Sequence, residues 1–297
     1  MTASAPPARD SGGLITGRDN RQLKTFRAAL RGSGPDSGDP IALEGPHLVE
    51  EALRSGLEIE SLLASESADP SLARILQASA ATEHGIPRSK ILRTTDKLFA
   101  GVAATDTPQG IAALVRPREW AFEDLIRGRA TPDGAYRGVP ALIAVVAGVQ
   151  DPGNVGTIVR SAEAFGATGI VSTRGTADPW SPKALRASAG SALRLPLLRG
   201  AAIPILLTQL RVAELKIYAA ASRPGVSEAT SKNSAPDWNS PFALFIGSEG
   251  SGLAPEILHA ADAIVSIPTS DEVESLNAGV AASLLLHEAA RQRKQTA

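Results

Sequence analysis

The chain contains no cysteine. That excludes disulfides, iron–sulfur clusters, cysteine-ligated zinc and any thiolate nucleophile. Histidine is scarce as well. His47, His84, His259 and His287 never fall at a metal-ligand spacing such as His-x-x-x-His, so no protein metal site is expected. No apolar run is long enough to span a bilayer, and Met1–Asp10 lacks the apolar core of a signal peptide, so the expected compartment is the cytoplasm. Neither sign of charge dominates: 30 Lys and Arg stand against 31 Asp and Glu, a net charge of −1. A nucleic-acid partner therefore has to be held by local clusters rather than by a global field. Three groups qualify: Arg18, Arg21, Lys24, Arg27 and Arg31; Arg116 and Arg118; and Lys183, Arg186, Arg194 and Arg199. Each also has the plainer reading of solvated surface charge.

What is present is 297 residues, 43% apolar and 21% charged, enough for two ordinary domains with separate cores. Residues 1–39 read as a flexible tail carrying a short basic helix near Asn20–Leu30, broken by the Gly/Ser/Pro/Asp run Gly32–Pro40. A smaller α/β domain is expected over 40–117. It opens with the strand-like Ile41–Gly45 and a helix begun by Pro46, with Val49, Ala52 and Leu53 on one face. Residues 118–139 read as a linker with a short helical stretch near Phe122–Ile126. From 140 to 297 apolar strands alternate with helices expected near 154–166, 181–190, 203–213 and 274–292. That alternation predicts a mostly parallel sheet covered on both faces, with ligands at the carboxyl ends of its strands.

Three blocks follow strands in this second domain: Asp151–Gly166, Phe242–Leu253 and Ile267–Glu288. In the first, Gly148 and Gly153 have the spacing of a phosphate loop, but Asn154 and Val155 stand where Lys and Ser/Thr are needed. The dinucleotide fingerprint fails too, because Gly148, Gly153 and Gly156 have the wrong spacing. What remains is a turn and a helix with Val155, Ile158, Val159, Ala162 and Phe165 on its apolar face. Asn154 reads as a helix cap or a site residue, and Arg160 as a partner of Glu163 or a site residue. In the second block, Gly247, Gly250 and Gly252 suggest backbone close to a ligand, with Glu249 held on the turn. In the third, Ser275-Leu276-Asn277 opens a helix nearly continuous in small and apolar residues from Ala278 to Leu286, which must pack on two sides. Ser275 and Asn277 also read as caps.

Together, Asn154…Arg160…Gly166, Gly247-Ser248-Glu249-Gly250-Ser251-Gly252-Leu253 and Ile267-Pro268…Ser275-Leu276-Asn277 closely resemble the SpoU (TrmH-like) RNA ribose methyltransferases. Lys183…Ser188-Ala189-Gly190 extends the likeness between the first two blocks, so that it covers the whole second domain. The stretch Glu44-Gly45…Leu48-Val49-Glu50-Glu51-Ala52-Leu53, with Thr107-Pro108-Gln109-Gly110-Ile111, is similar to that family's ribosomal-protein-like RNA-binding domain. Two positions depart from the pattern: Asp271 stands where the family usually has Gly, and Ala278 where it usually has Val.

The resemblance implies a SPOUT α/β fold with a deep trefoil knot and a mostly parallel sheet, preceded by the smaller α/β domain. It implies S-adenosylmethionine as cofactor, bound through the backbone of Gly247, Ile267 and Leu276, and a homodimer formed by the C-terminal domain. The reaction implied is methylation of a ribose 2′-hydroxyl in structured RNA, with ribosomal RNA favoured over transfer RNA because of the separate N-terminal domain. A catalytically silent RNA-binding protein of the same fold is the competing class. The absence of cysteine suits direct methyl transfer and disfavours base methylation through a thiolate adduct. The site residues carried over are Arg160, Asn154, Glu249, Ser275 and Asn277. A guanidinium stays protonated, so Arg160 is expected to stabilise the developing alkoxide rather than act as a base.

Overall fold

The computed structural model describes residues 14–32, 39–80, 85–127, 138–221, 236–270, 273 and 275–295. The expected tail at 1–13 and the departure at Asp271 lie outside them. The chain divides into two compact units, Met1–Arg118 and Glu119–Ala297.

The first unit runs β1 (Leu14–Ile15), α1 (Arg21–Arg31), β2 (Ile41–Glu44), α2 (Pro46–Arg54), β3 (Ile59–Ser65), α3 (Asp69–Ala80), β4 (Ile91–Thr94), α4 (Asp96–Val102) and β5 (Ile111–Val115). Its sheet has the order β1-β4-β3-β5-β2, with β5 antiparallel to both neighbours and the other pairs parallel. The basic helix expected within a flexible tail belongs instead to this domain. Leu23, Phe26 and Leu30, spaced for one helical face, are buried against Leu98, Phe99 and Val102 of α4. Burial of each such side chain stabilises by roughly 1.5–3 kcal/mol, far more than an exposed tail helix could gain from propensity. Asn20 caps α1 by accepting from the Gln22 amide. Arg27 and Arg31 donate to the carbonyls of Gly101 and Ala103, satisfying the end of α4.

The second unit runs α5 (Phe122–Arg127), β6 (Leu142–Val146), α6 (Pro152–Ala164), β7 (Gly169–Thr173), α7 (Pro182–Ser188), α8 (Ser191–Arg194), β8 (Leu197–Ala201), α9 (Ile203–Val212), β9 (Lys216–Ala220), β10 (Phe242–Ile246), α10 (Pro255–Ala260), β11 (Ala263–Val265) and α11 (Ala278–Gln295). Six parallel strands lie in the order β11-β9-β10-β6-β7-β8. All residues of β6, β7 and β10 are buried, which is why β6 and β10 are apolar without alternation. The supposed linker is only partly one: Leu125 of α5 is fully buried in the core with Ile143, Val145 and Phe245, and Trp120, Phe122 and Ile126 pack beside it.

From β6 the chain adds β7 and β8 on one side, then crosses to place β9, β10 and β11 on the other. The carboxyl ends of β6 and β10 therefore flank the topological switch point, where a crevice opens by construction. Helix α6 follows β6 there and packs closely on α7. A Cβ at Gly156 would lie 2.6 Å from Ala187 Cβ, so any larger residue would force the helices apart. On its other side α6 meets α11, with the Ser161 and Ser283 hydroxyls 2.6 Å apart. The far end of α11 is anchored by Arg293. Its guanidinium donates to the carbonyls of Trp238 (2.7 Å), Pro140 (2.8 Å), Ser240 (2.9 Å) and Ala141 (3.1 Å), and lies over the Phe242 ring. Among the described residues, no helix is long and apolar enough to cross a membrane.

Candidate active site

The first turn of α6 is built by Asp151, whose Oδ2 accepts from the Asn154 amide at 3.2 Å. Its Oδ1 accepts from Lys183 Nζ at 2.5 Å. This lysine lowers the Asp151 pKa from its ordinary value, with smaller help from the Gly153 and Asn154 amides against the opposing effect of burial. With its backbone so held, Asn154 projects its side chain toward the loop after β10 and donates through Nδ2 to Glu249 Oε1.

The last helix joins the same carboxylate. Asn277 Nδ2 lies 2.9 Å from Asn154 Oδ1 and 3.3 Å from Glu249 Oε1, and the Ala278 amide donates to Glu249 Oε1 at 3.2 Å. Meanwhile Asn277 Oδ1 accepts from the amides of Gly279 (3.0 Å) and Val280 (3.2 Å). Asn277 is thus a helix cap and a member of the cluster at once, and α11 begins at Ala278 rather than at 274. Glu249 faces the amino end of α11, where the free amides and the helix dipole favour a negative charge.

Beside this cluster, at the carboxyl ends of β9, β10 and β11, lies a cavity of about 410 Å³. Its walls are Ala220 and Ala221, the loop Gly247–Leu253, Val265, Ile267 and Thr269, and one side of α11 through Ala278, Ala281 and Leu285. Gly247 decides the shape of the loop. A Cβ there would lie 2.5 Å from Gly252 C and O, because the loop folds back on itself, with the Gly252 amide donating to Ser248 O at 3.1 Å. The glycine is demanded by this self-contact.

Of the residues expected in the site, Asn154, Glu249 and Asn277 share one hydrogen-bonded cluster, and Gly247, Ile267, Leu276 and Ser275 line the cavity. Among the described residues, Ser275 takes no part in the cluster's hydrogen bonds. Arg160 is exposed and has no side-chain partner among them. The helical pair it could have formed with Glu163 is not made, because Arg194 takes that carboxylate bidentately at 2.7–2.8 Å. Several cations read as possible nucleic-acid contacts are likewise engaged internally: Arg116 by Glu60, Lys183 by Asp151, Arg199 by Asp178 and the Trp180 ring. Sequence reasoning missed Asp151 as the organiser of α6 and Ala220–Ala221 as a cavity wall. An Asp before Pro at a strand end signals the former, whereas no local pattern signals the latter. Among the described residues, no group of three or more His, Asp and Glu could hold a metal.

A doubly covered parallel sheet with its polar cluster at the switch point and a cavity beside it is an architecture that binds a small molecule. The chain belongs to the SpoU rRNA methylase family, whose profile matches residues 141–287. A second profile, the MRM3-like substrate binding domain, matches residues 38–113. A protein of Synechocystis sp. described as an uncharacterized tRNA/rRNA methyltransferase is 33% identical over 283 residues, covering 94% of each chain. The 23S rRNA (guanosine(2553)-2'-O)-methyltransferase RlmP of Bacillus subtilis is 31% identical over 274 residues, 92% of this chain and 97% of that one. The crystal structure of the AdoMet-bound rRNA methyltransferase from Sinorhizobium meliloti superposes with a TM-score of 0.73 at 26% identity, covering 94% of this chain and 98% of the other.

Proposed function

We propose that this protein methylates a ribose 2′-hydroxyl in ribosomal RNA, using S-adenosylmethionine. The observation that carries the reading is the position of the Asn154–Glu249–Asn277 cluster at the rim of the cavity. The cavity suits that cofactor in size and lining. About 410 Å³ falls within the common range of small-ligand pockets, and the walls combine apolar side chains (Ile246, Leu253, Val265, Leu285) with loop backbone able to bond polar edges. Gly247, Ile267 and Leu276 would hold it, and when bound it supplies a methyl group on a positively charged sulfur.

The protein's own residues then have separable tasks. Asn154 and Glu249 orient the ribose, while Asn277 ties α11 to them and Ser275 closes the cavity's edge. Arg160 stabilises the negative charge that develops on the 2′-oxygen as its proton passes to solvent water. It stays protonated throughout, because a guanidinium does not deprotonate in proteins. The domain at 40–117 selects the RNA by shape, as proteins do with folded RNA. The relationship to the Bacillus subtilis enzyme supports ribosomal RNA as the substrate.

The working unit is a cytoplasmic homodimer joined through the second domain, where the chain passes through a trefoil knot. The exposed Val280 and Leu284, on the side of α11 turned away from the cavity, support α11 as the contact. Mapping 2′-O-methyl groups in total RNA from cells with and without the protein tests the function. Loss of one ribosomal RNA site is the expected result, and an unchanged map overturns it. Arg160→Ala should reduce methyl transfer at least a hundredfold; retention within a few-fold would remove Arg160 from the mechanism.

A further inference from the structure

Between Ala147 and Ala202 the chain carries six basic side chains (Arg160, Arg174, Lys183, Arg186, Arg194, Arg199) and only three carboxylates (Asp151, Glu163, Asp178). Every one of these residues is described. Asp151 is taken by Lys183, Glu163 by Arg194 and Asp178 by Arg199, at 2.5, 2.7 and 2.6 Å. Arg160, Arg174 and Arg186 are left over. None has an ion pair or a side-chain hydrogen bond among the described residues. Arg160 and Arg174 are exposed, whereas Arg186 is half-buried with Nη1 fully enclosed and without an acceptor.

Exposure alone does not make a guanidinium a contact, since water solvates it well. Placement separates these three from ordinary surface charge. Arg174 is the first residue after β7, at the carboxyl end of the sheet. Arg160 lies on α6 six residues beyond Asn154, about 9 Å along the helix axis. Arg186 is on α7, which packs on α6 across Gly156. All three therefore belong to the β6–β7–α6–α7 flank of the polar cluster, whereas the cavity occupies the β9–β10–β11 flank. A reaction between a molecule in the cavity and a second reactant at the cluster requires that reactant to arrive from the flank the cavity leaves open. The segment 147–202 that builds that flank carries three more basic than acidic side chains. The enclosed Arg186 Nη1 lies out of an external phosphate's reach, so Arg186 would join a polyanion there through the part of its side chain that solvent reaches.

We propose that the backbone of the substrate RNA runs across this flank, with Arg174 and Arg186 binding phosphates next to the nucleotide that meets Arg160. The proposal rests on the function given above and assigns RNA affinity to the catalytic domain itself, in addition to the domain at 40–117.

The test is binding of the full-length protein to an unmodified, in vitro transcribed large-subunit ribosomal RNA over a series of salt concentrations. Arg174→Gln and Arg186→Gln should each weaken binding roughly three- to tenfold and make the plot of log affinity against log salt shallower by about one contact. Arg186→Lys should recover part of the loss. Lys216→Gln, which removes an equal exposed charge at the amino end of β9, should leave both affinity and slope unchanged. S-adenosylmethionine affinity by calorimetry and the thermal midpoint should be unaltered in Arg174→Gln, whose side chain is exposed. Wild-type affinity and slope in both Arg174→Gln and Arg186→Gln, or an equal loss in Lys216→Gln, would overturn the proposal. Absence of S-adenosylmethionine binding by the unaltered protein would instead sink the function itself.

Discussion

Asn154 and Asn277 stand 123 residues apart in sequence and meet at 2.9 Å, Nδ2 of Asn277 donating to Oδ1 of Asn154. Both amides also donate to Glu249 Oε1, so a single carboxylate oxygen ties the helix after β6, the loop after β10 and the start of α11 together. The geometry of the site depends on this junction more than on any one element.

Asn277→Ala removes the α11 cap and both donors, and should cost about 1 kcal/mol of stability. Asn277→Asp keeps a capping oxygen but sets a second carboxylate against Glu249. Like charges at that distance resist joint ionisation, so the repulsion introduced by the substitution is relieved as falling pH protonates one member of the pair. Thermal melts of Asn277→Asp should therefore approach the wild-type midpoint as pH falls from 7 toward 5. Parallel melting curves for the two proteins across that range would refute the shared-oxygen geometry.

Gly247→Ala drives a methyl group into Gly252 of the same loop. Overpacking of this kind costs roughly 1–3 kcal/mol. The strain falls on the cavity wall, so S-adenosylmethionine binding by calorimetry should weaken about tenfold for each 1.4 kcal/mol that the bound loop must absorb. Far-ultraviolet circular dichroism should stay unchanged. Wild-type affinity would mean the loop can open without cost.

Arg293→Ala leaves the carbonyls of Trp238, Pro140, Ala141 and Ser240 without their charged donor. Hydrogen bonds from a charged group contribute about 1.5–3 kcal/mol each and are not additive, so a total loss of roughly 2–4 kcal/mol is expected in urea unfolding. Arg293→Lys should recover only part, because an ammonium cannot present a planar fork to several acceptors. A loss below about 0.5 kcal/mol, the range of an ordinary surface substitution, would contradict the anchoring role.

Asp151 provides a pH signature. Its folded pKa is depressed, chiefly by the hydrogen bond from Lys183. A depressed carboxylate stabilises the fold above its unfolded pKa of about 3.9, and that stability is lost as pH falls through the lower folded value. Asp151→Asn should therefore narrow the stability difference between pH 7 and pH 3. The effect is that of a surface pair, about 1 kcal/mol or less. Equal acid sensitivity of Asp151→Asn and wild type in urea melts at the two pH values would rule the pair out as a contributor.

Leu284→Glu places a charge on the exposed apolar side of α11 and should yield a monomer in sedimentation velocity at micromolar concentration, with the fold retained. A dimer of unchanged strength would move the subunit contact away from this helix.

The apolar runs of β6 and β10, the face of α6 and the order of strand and helix could be read from the sequence because burial is encoded locally. A residue buried on both sheet faces must be apolar whatever its neighbours do, and a helix face repeats every three to four positions. The same locality made Asn154, Glu249 and Asn277 conspicuous, as polar residues in the segments that follow strands. Where local signals misled, distant packing had decided. The basic helix at Arg21–Arg31 looked like part of a tail until Leu23, Phe26 and Leu30 met α4, and Leu125 looked like linker until the sheet covered it. Only the tertiary structure decided that Glu163 goes to Arg194, leaving Arg160 without a side-chain partner among the described residues, and that Asn277 both caps α11 and joins the Asn154–Glu249 cluster. Which of two available cations reaches a carboxylate depends on helix crossings and strand register, and these are set by the whole core rather than by the spacing of residues along the chain.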